Sequence, residues 1–146
     1  MSLDRVGDIR VAEGVRAGAL AAYEEGLAIR RDLAARDPGN AGWARDVSVS
    51  LDRVGDVRVA AGDRAGALAA FEEGLAIRRA LAARDPGNAG WARDVSVSLL
   101  KVGDVRVAEG DRAARGRWRL MRRVSLSPAV SPNAIRGMRA GRGTSR

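Results

Sequence analysis

Apolar residues recur along this chain at intervals of three and four positions, which is the spacing of one face of an α-helix. The clearest run consists of Trp43, Val47, Leu51 and Val54. That run lies in a segment over 41–61, and a second run of the same kind lies over 64–84. Gly62 ends the first helix, and Asp63 is a suitable N-cap for the second. Because only a short link joins them, the pattern predicts an antiparallel pair of helices.

This pattern returns every 48 residues. The heptapeptide Ser-Leu-Asp-Arg-Val-Gly-Asp begins at Ser2 and again at Ser50, and an altered copy begins at Ser98. Residues 2–49 and 50–97 differ only at the pairs Ile9/Val57, Glu13/Ala61, Val15/Asp63, Tyr23/Phe71 and Asp32/Ala80. The third copy follows the pattern to about Arg112. The sequence therefore contains about two and a third repeats of one unit.

The repeat predicts the arrangement of the whole array. Helices are expected over 2–13, 16–36, 41–61, 64–84 and 89–109, with turns at Gly14, Gly62, Asp85-Pro86-Gly87-Asn88 and Gly110. One helix pair cannot bury its apolar face alone, so neighbouring pairs stack. The predicted fold is therefore all-α, an antiparallel helix-hairpin solenoid. Since Ser2 corresponds to a position inside a helix of the later copies, we expect a fragment of a longer array.

The residues of this unit resemble the tetratricopeptide repeat (TPR) family. The resemblance rests on Leu51, Val54 and Gly55, followed by Gly62, Ala67, Phe71, Gly74 and Leu75. The period is longer than the usual length of about 34 residues, and the segment Gly74-Leu75-Ala76-Ile77-Arg78 is similar to extended repeats of the kinesin light chain type. The chain departs from the family at Arg58, where a tyrosine is usual, and at Pro86, where the closing proline comes late. The resemblance implies a right-handed superhelix that binds a protein or peptide in its concave groove.

By the same resemblance, one side of the first helix of each unit lines that groove. The candidates on this side are Asp4, Asp8, Asp52, Arg53, Asp56 and Val59. TPR domains that clamp a carboxylate carry Lys and Asn there, whereas this chain carries Asp, so we expect a partner of basic or mixed charge. The alternative is that the aspartates serve solubility and helix pairing with Arg53 or Arg45. Apolar faces left bare at both ends of the array also predict self-association.

Composition narrows the chemistry further. With no Cys and no His among 146 residues, the chain excludes disulfides, thiol nucleophiles, Ser-His-Asp catalysis and the usual zinc sites. Phosphate-binding glycine motifs are missing, and the adjacent acids Glu24-Glu25 and Glu72-Glu73 point about 100° apart on a helix. We therefore expect no enzyme activity, no cofactor and no metal. The lack of a long apolar run or a signal peptide indicates a cytoplasmic protein, and abundant Arg, Ala and Gly favour a bacterial source.

The net charge of +8 comes from one end of the chain. Residues 113–146 contain nine Arg and no acidic residue, whereas residues 1–112 contain the other 17 basic residues and all 18 acidic ones. We expect two parts: a repeat array over 1–112 (units 2–49, 50–97 and 98–112) and a basic, disordered tail over 113–146. A functional tail would bind nucleic acid or another acidic surface through Arg115, Arg117, Trp118, Arg119, Arg122 and Arg123.

The genetic code offers a different interpretation of this tail. Codons compatible with residues 117–146, read in a frame shifted by one nucleotide, spell the repeat at 27 of 30 positions. Residues 118–127, for example, permit Leu-Ala-Ala-Tyr-Glu-Glu-Gly-Leu-Ala-Ile, which is the sequence at 20–29. This favours out-of-frame translation of a further repeat over a nucleic-acid arm. A third alternative is a truncated product without function.

Overall fold

The computed structural model describes the backbone of residues 3–125 and the side chains of residues 12–122. The described chain forms four helices: α1 (Leu3–Arg36), α2 (Ala41–Ala60), α3 (Arg64–Arg84) and α4 (Ala89–Ser125). No strand occurs in this part, which confirms the all-α class. None of these helices has an apolar stretch that could cross a membrane. The chain divides into two compact parts, Met1–Glu109 and Gly110–Arg146.

Side-chain caps fix the starts of α2 and α3. The side chain of Asn40 accepts a hydrogen bond from the backbone N–H of Trp43 at 3.1 Å, and Asp63 accepts one from that of Gly66 at 2.9 Å. Gly62, with a φ of +83°, supplies the left-handed conformation of the turn between the two helices. The predicted turn at Gly62 and the predicted cap at Asp63 are confirmed.

The predicted turn at Gly14 is wrong, because α1 passes through it without a break. The helices expected over 2–13 and 16–36 form one helix instead. The reason lies in Val15, which stands where the second unit has Asp63. A valine side chain cannot accept the hydrogen bond that would cap a new helix. Gly14 therefore stays inside the helix, at a cost of about 1 kcal/mol relative to alanine.

The predicted turn at Gly110 is also wrong, since α4 continues beyond it. Asp111 is present at the capping position, but the positions that bury an alanine and a phenylalanine in α3 are occupied by Arg115 and Arg119. Arginine at these positions does not provide the buried apolar contacts that Ala67 and Phe71 provide in α3. Residues 113–125 belong to α4, and the rest of the predicted tail lies outside the described residues.

The core of the part Met1–Glu109 consists of two clusters of buried side chains. The first is formed by Leu27, Val47, Leu51, Val54 and Ala70, and the second by Ala67, Phe71, Leu75, Val102 and Val105. Leu27 and Leu75 occupy the same position of the repeat, and so do Val54 and Val102. The packing of α1 on α2 is therefore repeated when α3 packs on α4.

Polar contacts recur at the same interval. Arg30 donates to Oγ of Ser50 at 2.6 Å, and Arg78 donates to Oγ of Ser98 at 2.6 Å. A second pair of equivalent contacts is Arg58 with Glu24 and Arg106 with Glu72. Because each of these contacts joins consecutive helices, the repeat in the sequence is also a repeat of three-dimensional contacts.

Candidate functional site

A cleft of about 260 Å³ opens where α2, α3 and α4 meet. This three-helix cleft is lined by Asp56, Val59, Arg64, Phe71, Lys101, Asp104, Val105 and Ala108. Its surface combines apolar side chains with two acidic and two basic ones. An apolar concavity with a few charged groups at its edge is the usual form of a binding site.

Phe71 fixes the floor of the three-helix cleft. Its ring is 2% exposed and packs so closely on Gly55 that a β carbon there would meet it. Nζ of Lys101 lies 5.2 Å from the ring centroid, within the range of a cation–π contact, and 2.6 Å from Oδ1 of Asp56. The floor is therefore held by contacts from both neighbouring helices.

The other two charged side chains of the three-helix cleft, unlike Lys101 and Asp56, are not paired with each other. Asp104 lies on α4 and Arg64 at the start of α3. Neither takes part in an ion pair with another residue whose side chain is described. These two groups can therefore pair with charges on a ligand without breaking a contact of the described fold.

A second cleft, of about 240 Å³, lies between α1 and α2. This two-helix cleft is lined by Val15, Arg16, Ala19, Tyr23, Arg53, Asp56, Val57 and Ala60. Six of these residues have repeat equivalents in the three-helix cleft: Arg16/Arg64, Tyr23/Phe71, Arg53/Lys101, Asp56/Asp104, Val57/Val105 and Ala60/Ala108. The repeat therefore builds the same concave surface twice.

The two clefts differ in their third wall. In the three-helix cleft, Asp56 and Val59 of α2 close one side. The two-helix cleft lacks an equivalent helix, because the first part of α1 continues in line instead of turning back. Its aromatic residue Tyr23 is consequently 39% exposed, compared with 2% for Phe71.

Three of the groove residues predicted from the sequence line these clefts. Asp56 and Val59 lie in the three-helix cleft, and Arg53 and Asp56 lie in the two-helix cleft. Asp4 and Asp8 belong to the backbone of α1, but their side chains lie outside the described residues. The structure therefore brings Arg53, Asp56 and Val59 to concave surfaces on either side of α2.

Asp52 has a different position. Its Oδ2 lies 2.8 Å from the guanidinium of Arg78, and both side chains are largely buried between α2 and α3. Arg78 also donates to Ser48 at 3.2 Å and to Ser98. Asp52 therefore serves helix packing, as the alternative interpretation of the aspartates expected, although its partner is Arg78 rather than Arg53 or Arg45.

Arg45 pairs instead with the next unit. Its Nε donates to Oδ2 of Asp94 at 2.9 Å, joining α2 to α4. The hydrogen bond from Arg45 to Asp94, followed by the attraction between the two charges, raises the pKa of Arg45. The contact connects the first helices of successive repeats.

Most residues of the three-helix cleft were not predicted from the sequence, namely Arg64, Phe71, Lys101, Asp104, Val105 and Ala108. A usable signal was present, because Lys101 and Asp104 are the repeat equivalents of Arg53 and Asp56, which were identified. Translating each candidate by one repeat would have found them. The contribution of α3 could not be found in this way, since it depends on how the second helix packs.

A third groove, of about 350 Å³, is lined by residues of α1, α2 and α3. Two ion pairs lie along it: Arg31 with Glu73 at 2.6 Å and Arg58 with Glu24 at 3.0 Å. Its charged groups are therefore already engaged with one another. This distinguishes it from the three-helix cleft.

The arginines predicted in the tail lie on the last turns of α4. Arg115, Arg117, Trp118, Arg119 and Arg122 are exposed, and the side chain of Arg123 lies outside the described residues. A shallow depression of about 410 Å³ is lined by Gly116, Arg119, Leu120 and Arg122. Arg115, Arg119 and Arg122 share one face because they are spaced by four and three residues. Nucleic-acid binding by this segment stays a prediction.

The chain has no match among family models, curated proteins or solved structures. In the described part of the chain, no cluster of acidic side chains could hold a metal ion. The geometry of the clefts is therefore the basis for a functional interpretation.

Proposed function

We propose that this protein is a non-enzymatic interaction module that binds a protein or peptide segment in the three-helix cleft. The observation that carries the proposal is the composition of this cleft: a closely packed apolar floor around Phe71 beside the charged groups Asp104 and Arg64. A protein or peptide can offer an apolar side chain next to charged side chains of both signs.

The proposal includes a tetratricopeptide-like solenoid. The repeated packing of α1 on α2 and of α3 on α4 supports stacked helix pairs, and the close approach of Phe71 to Gly55 agrees with the roles that the resemblance assigns to these residues. In such a solenoid, the concave surface would be built from the first helix of each unit. Asp56, Val59 and Asp104 on α2 and α4 would then belong to it.

The chemistry of the cleft defines the partner. An apolar side chain would pack on Val59, which is 43% exposed beside the buried Phe71 and Val105. A basic group would pair with Asp104, and an acidic group would pair with Arg64. This partner has mixed charge, because the cleft itself carries both signs. We therefore expect that a uniformly acidic or uniformly basic segment binds more weakly than a mixed one.

The test uses an array of short peptides in which leucine is flanked by lysine and glutamate in every combination. The full 146-residue protein would be titrated against the strongest peptides by fluorescence polarisation. We expect the peptides with both charges to bind best. Asp104→Arg should weaken their binding by roughly tenfold, or about 1.4 kcal/mol, because it replaces an attraction by a repulsion.

Glu109→Arg provides the matched control. It makes the same reversal of charge on the same helix, but Glu109 does not line the three-helix cleft. Equal losses for both variants would show that only the net charge matters. If no peptide of the array binds in preference to a scrambled sequence, the proposed function is wrong.

A further inference from the structure

The face that α2 buries against α3 is exposed at the equivalent positions of α4. Leu51 is 2% exposed, whereas Leu99 is 44% exposed. Gly55 is buried beneath Phe71, but a β carbon at Gly103 would meet no atom of the described chain. No described side chain covers these positions of α4 as α3 covers the equivalent positions of α2.

The reciprocal face is exposed on α1. Ala67 is fully buried and Phe71 is 2% exposed in α3, but the equivalent residues Ala19 and Tyr23 of α1 are half-buried and 39% exposed, respectively. The face is open because the helix that would cover it continues in line through Gly14. The molecule thus carries both halves of the α2–α3 interface without a partner from the described chain.

We propose that copies of this protein associate head to tail, with α4 of one copy packing on α1 of the next as α2 packs on α3. The ring of Tyr23 from the second copy would lie over Gly103 of the first, as Phe71 lies over Gly55. Leu99 would pack against Gly26, as Leu51 packs against Gly74. The open face of α4 in one copy would therefore be covered by the open face of α1 in the next copy.

Sequence identity supports this choice of partner. Five positions differ between the first two units, and two of them lie on α1 after Val15. At the first, Tyr23 keeps the aromatic ring of Phe71. At the second, Asp32 replaces Ala80, which is exposed in α3. On α4, Ser96, Leu99 and Gly103 are identical to the residues that line α2 at this interface. The two faces are therefore complementary for the same reason that α2 and α3 are.

One substitution weakens the contact between copies. Leu100 stands where Asp52 pairs with Arg78 inside the molecule. The equivalent arginine of the next copy, Arg30, would find no carboxylate at this place. The contact between copies is therefore expected to be weaker than the α2–α3 contact within one chain.

The association would also complete the two-helix cleft. That cleft lacks the wall which Asp56 and Val59 provide in the three-helix cleft. Their equivalents on α4 are Asp104 and Val107, and Val107 is 65% exposed in the single chain. Docking of α4 would place both beside Tyr23 of the next copy. Each contact between copies would therefore build one further cleft, whether or not that cleft binds a peptide.

The contact joins two different surfaces, so it does not close on itself by a two-fold axis. Such heterologous contacts produce open chains or rings. This property gives a decisive experiment, in which the full-length protein is examined by sedimentation velocity over a wide range of concentrations. We expect the unmodified protein to form species that grow beyond dimers.

Two variants block opposite faces. Gly103→Ala places a methyl group where the Tyr23 ring would lie, and Tyr23→Glu removes the ring. Each variant alone should remain monomeric. A mixture of the two should form dimers that grow no further, because one intact face of each kind remains. A mixture that stays monomeric, or a single variant that still dimerises, would overturn the proposal.

A gain of affinity provides the positive test. Leu100→Asp restores the carboxylate that pairs with arginine in the α2–α3 interface, and we expect it to tighten association by about tenfold. Gly110→Ala, on the same helix and without a neighbouring atom within 4 Å, is the control for Gly103→Ala and should leave association unchanged. If the first residues of α1 fold back over Tyr23 in solution, the unmodified protein will be monomeric at every concentration, and the proposal fails.

Discussion

At Gly55 the missing side chain allows α2 to approach α3 until the backbone touches the ring of Phe71. Gly103 is the same residue one repeat later, and no described atom outside its own stretch of helix lies within 4 Å of the place where its β carbon would be. The two glycines lie in the same segment, Val-Gly-Asp-Val-Arg-Val-Ala, but have different surroundings. Their difference separates the effect of packing from the effect of helix propensity.

We predict opposite changes in stability at these two positions. Gly55→Ala should destabilise the protein, because crowding of about 1–3 kcal/mol exceeds the gain in helix propensity of about 1 kcal/mol. Gly103→Ala should stabilise the monomer by up to about 1 kcal/mol. Urea unfolding at a concentration too low for association measures both. Equal signs would show that the Phe71 contact is not as close in solution.

The elements of this protein show which signals in the sequence decide a helix end. Periodicity and glycine placed α2 and α3 within a residue of their observed ends. The same signals failed at Gly14, where the deciding feature was the side chain after the glycine: Val15 cannot cap, and Asp63 can. A glycine alone therefore permits a helix end but does not enforce it.

The failure at Gly110 has another cause. Asp111 could cap a helix there, but Arg115 and Arg119 replace the alanine and the phenylalanine that α3 buries at the equivalent positions. Helix ends of this kind depend on tertiary packing and cannot be found from a local motif. The partner of Asp52 escaped prediction for a related reason, since Arg78 lies on the next helix and only the packing brings the two together.

We predict that Val15→Asp divides α1. The new carboxylate would accept the backbone N–H that Asp63 accepts in the second unit, so residues 3–13 would turn back and cover Tyr23. Spin labels at positions 5 and 25 measure this, and the absence of cysteine makes specific labelling straightforward. In a straight helix the labelled backbones lie about 30 Å apart, whereas in a hairpin they are neighbours.

Val15→Ala is the control, because it changes the same side chain without supplying a cap. It should keep the long distance. Val15→Asp should also abolish head-to-tail association, since the closed segment occupies the face that the next copy would use. A long distance in both variants would mean that the cap is not the deciding feature.

The whole molecule carries its charge unevenly, and this bears on the origin of its last residues. The excess of basic residues is confined to 113–146, where the shifted frame also reproduces the repeat. The first part of this segment is helical as far as Ser125. Helicity is compatible with either origin, because arginine and alanine both favour helices.

Sequencing the coding DNA across codons 105–146 distinguishes the two origins. We expect codons that spell the repeat when shifted by one nucleotide, or reads that lack the inserted bases. The basic character would then be a consequence of translation in the wrong frame. Codons that cannot spell the repeat would instead favour a genuine basic segment, and binding to heparin that weakens with salt would be the next observation to seek.

The arginine–serine contacts at 2.6 Å, formed once by Arg30 and Ser50 and again by Arg78 and Ser98, have a consequence for the history of the gene. Each of these junctions is made by an arginine and a serine that occur in both complete units. Recombination that adds or removes one whole unit therefore leaves all junctions chemically unchanged. Copy number can vary freely in such a gene, whereas a gain of any other length would misalign every later contact.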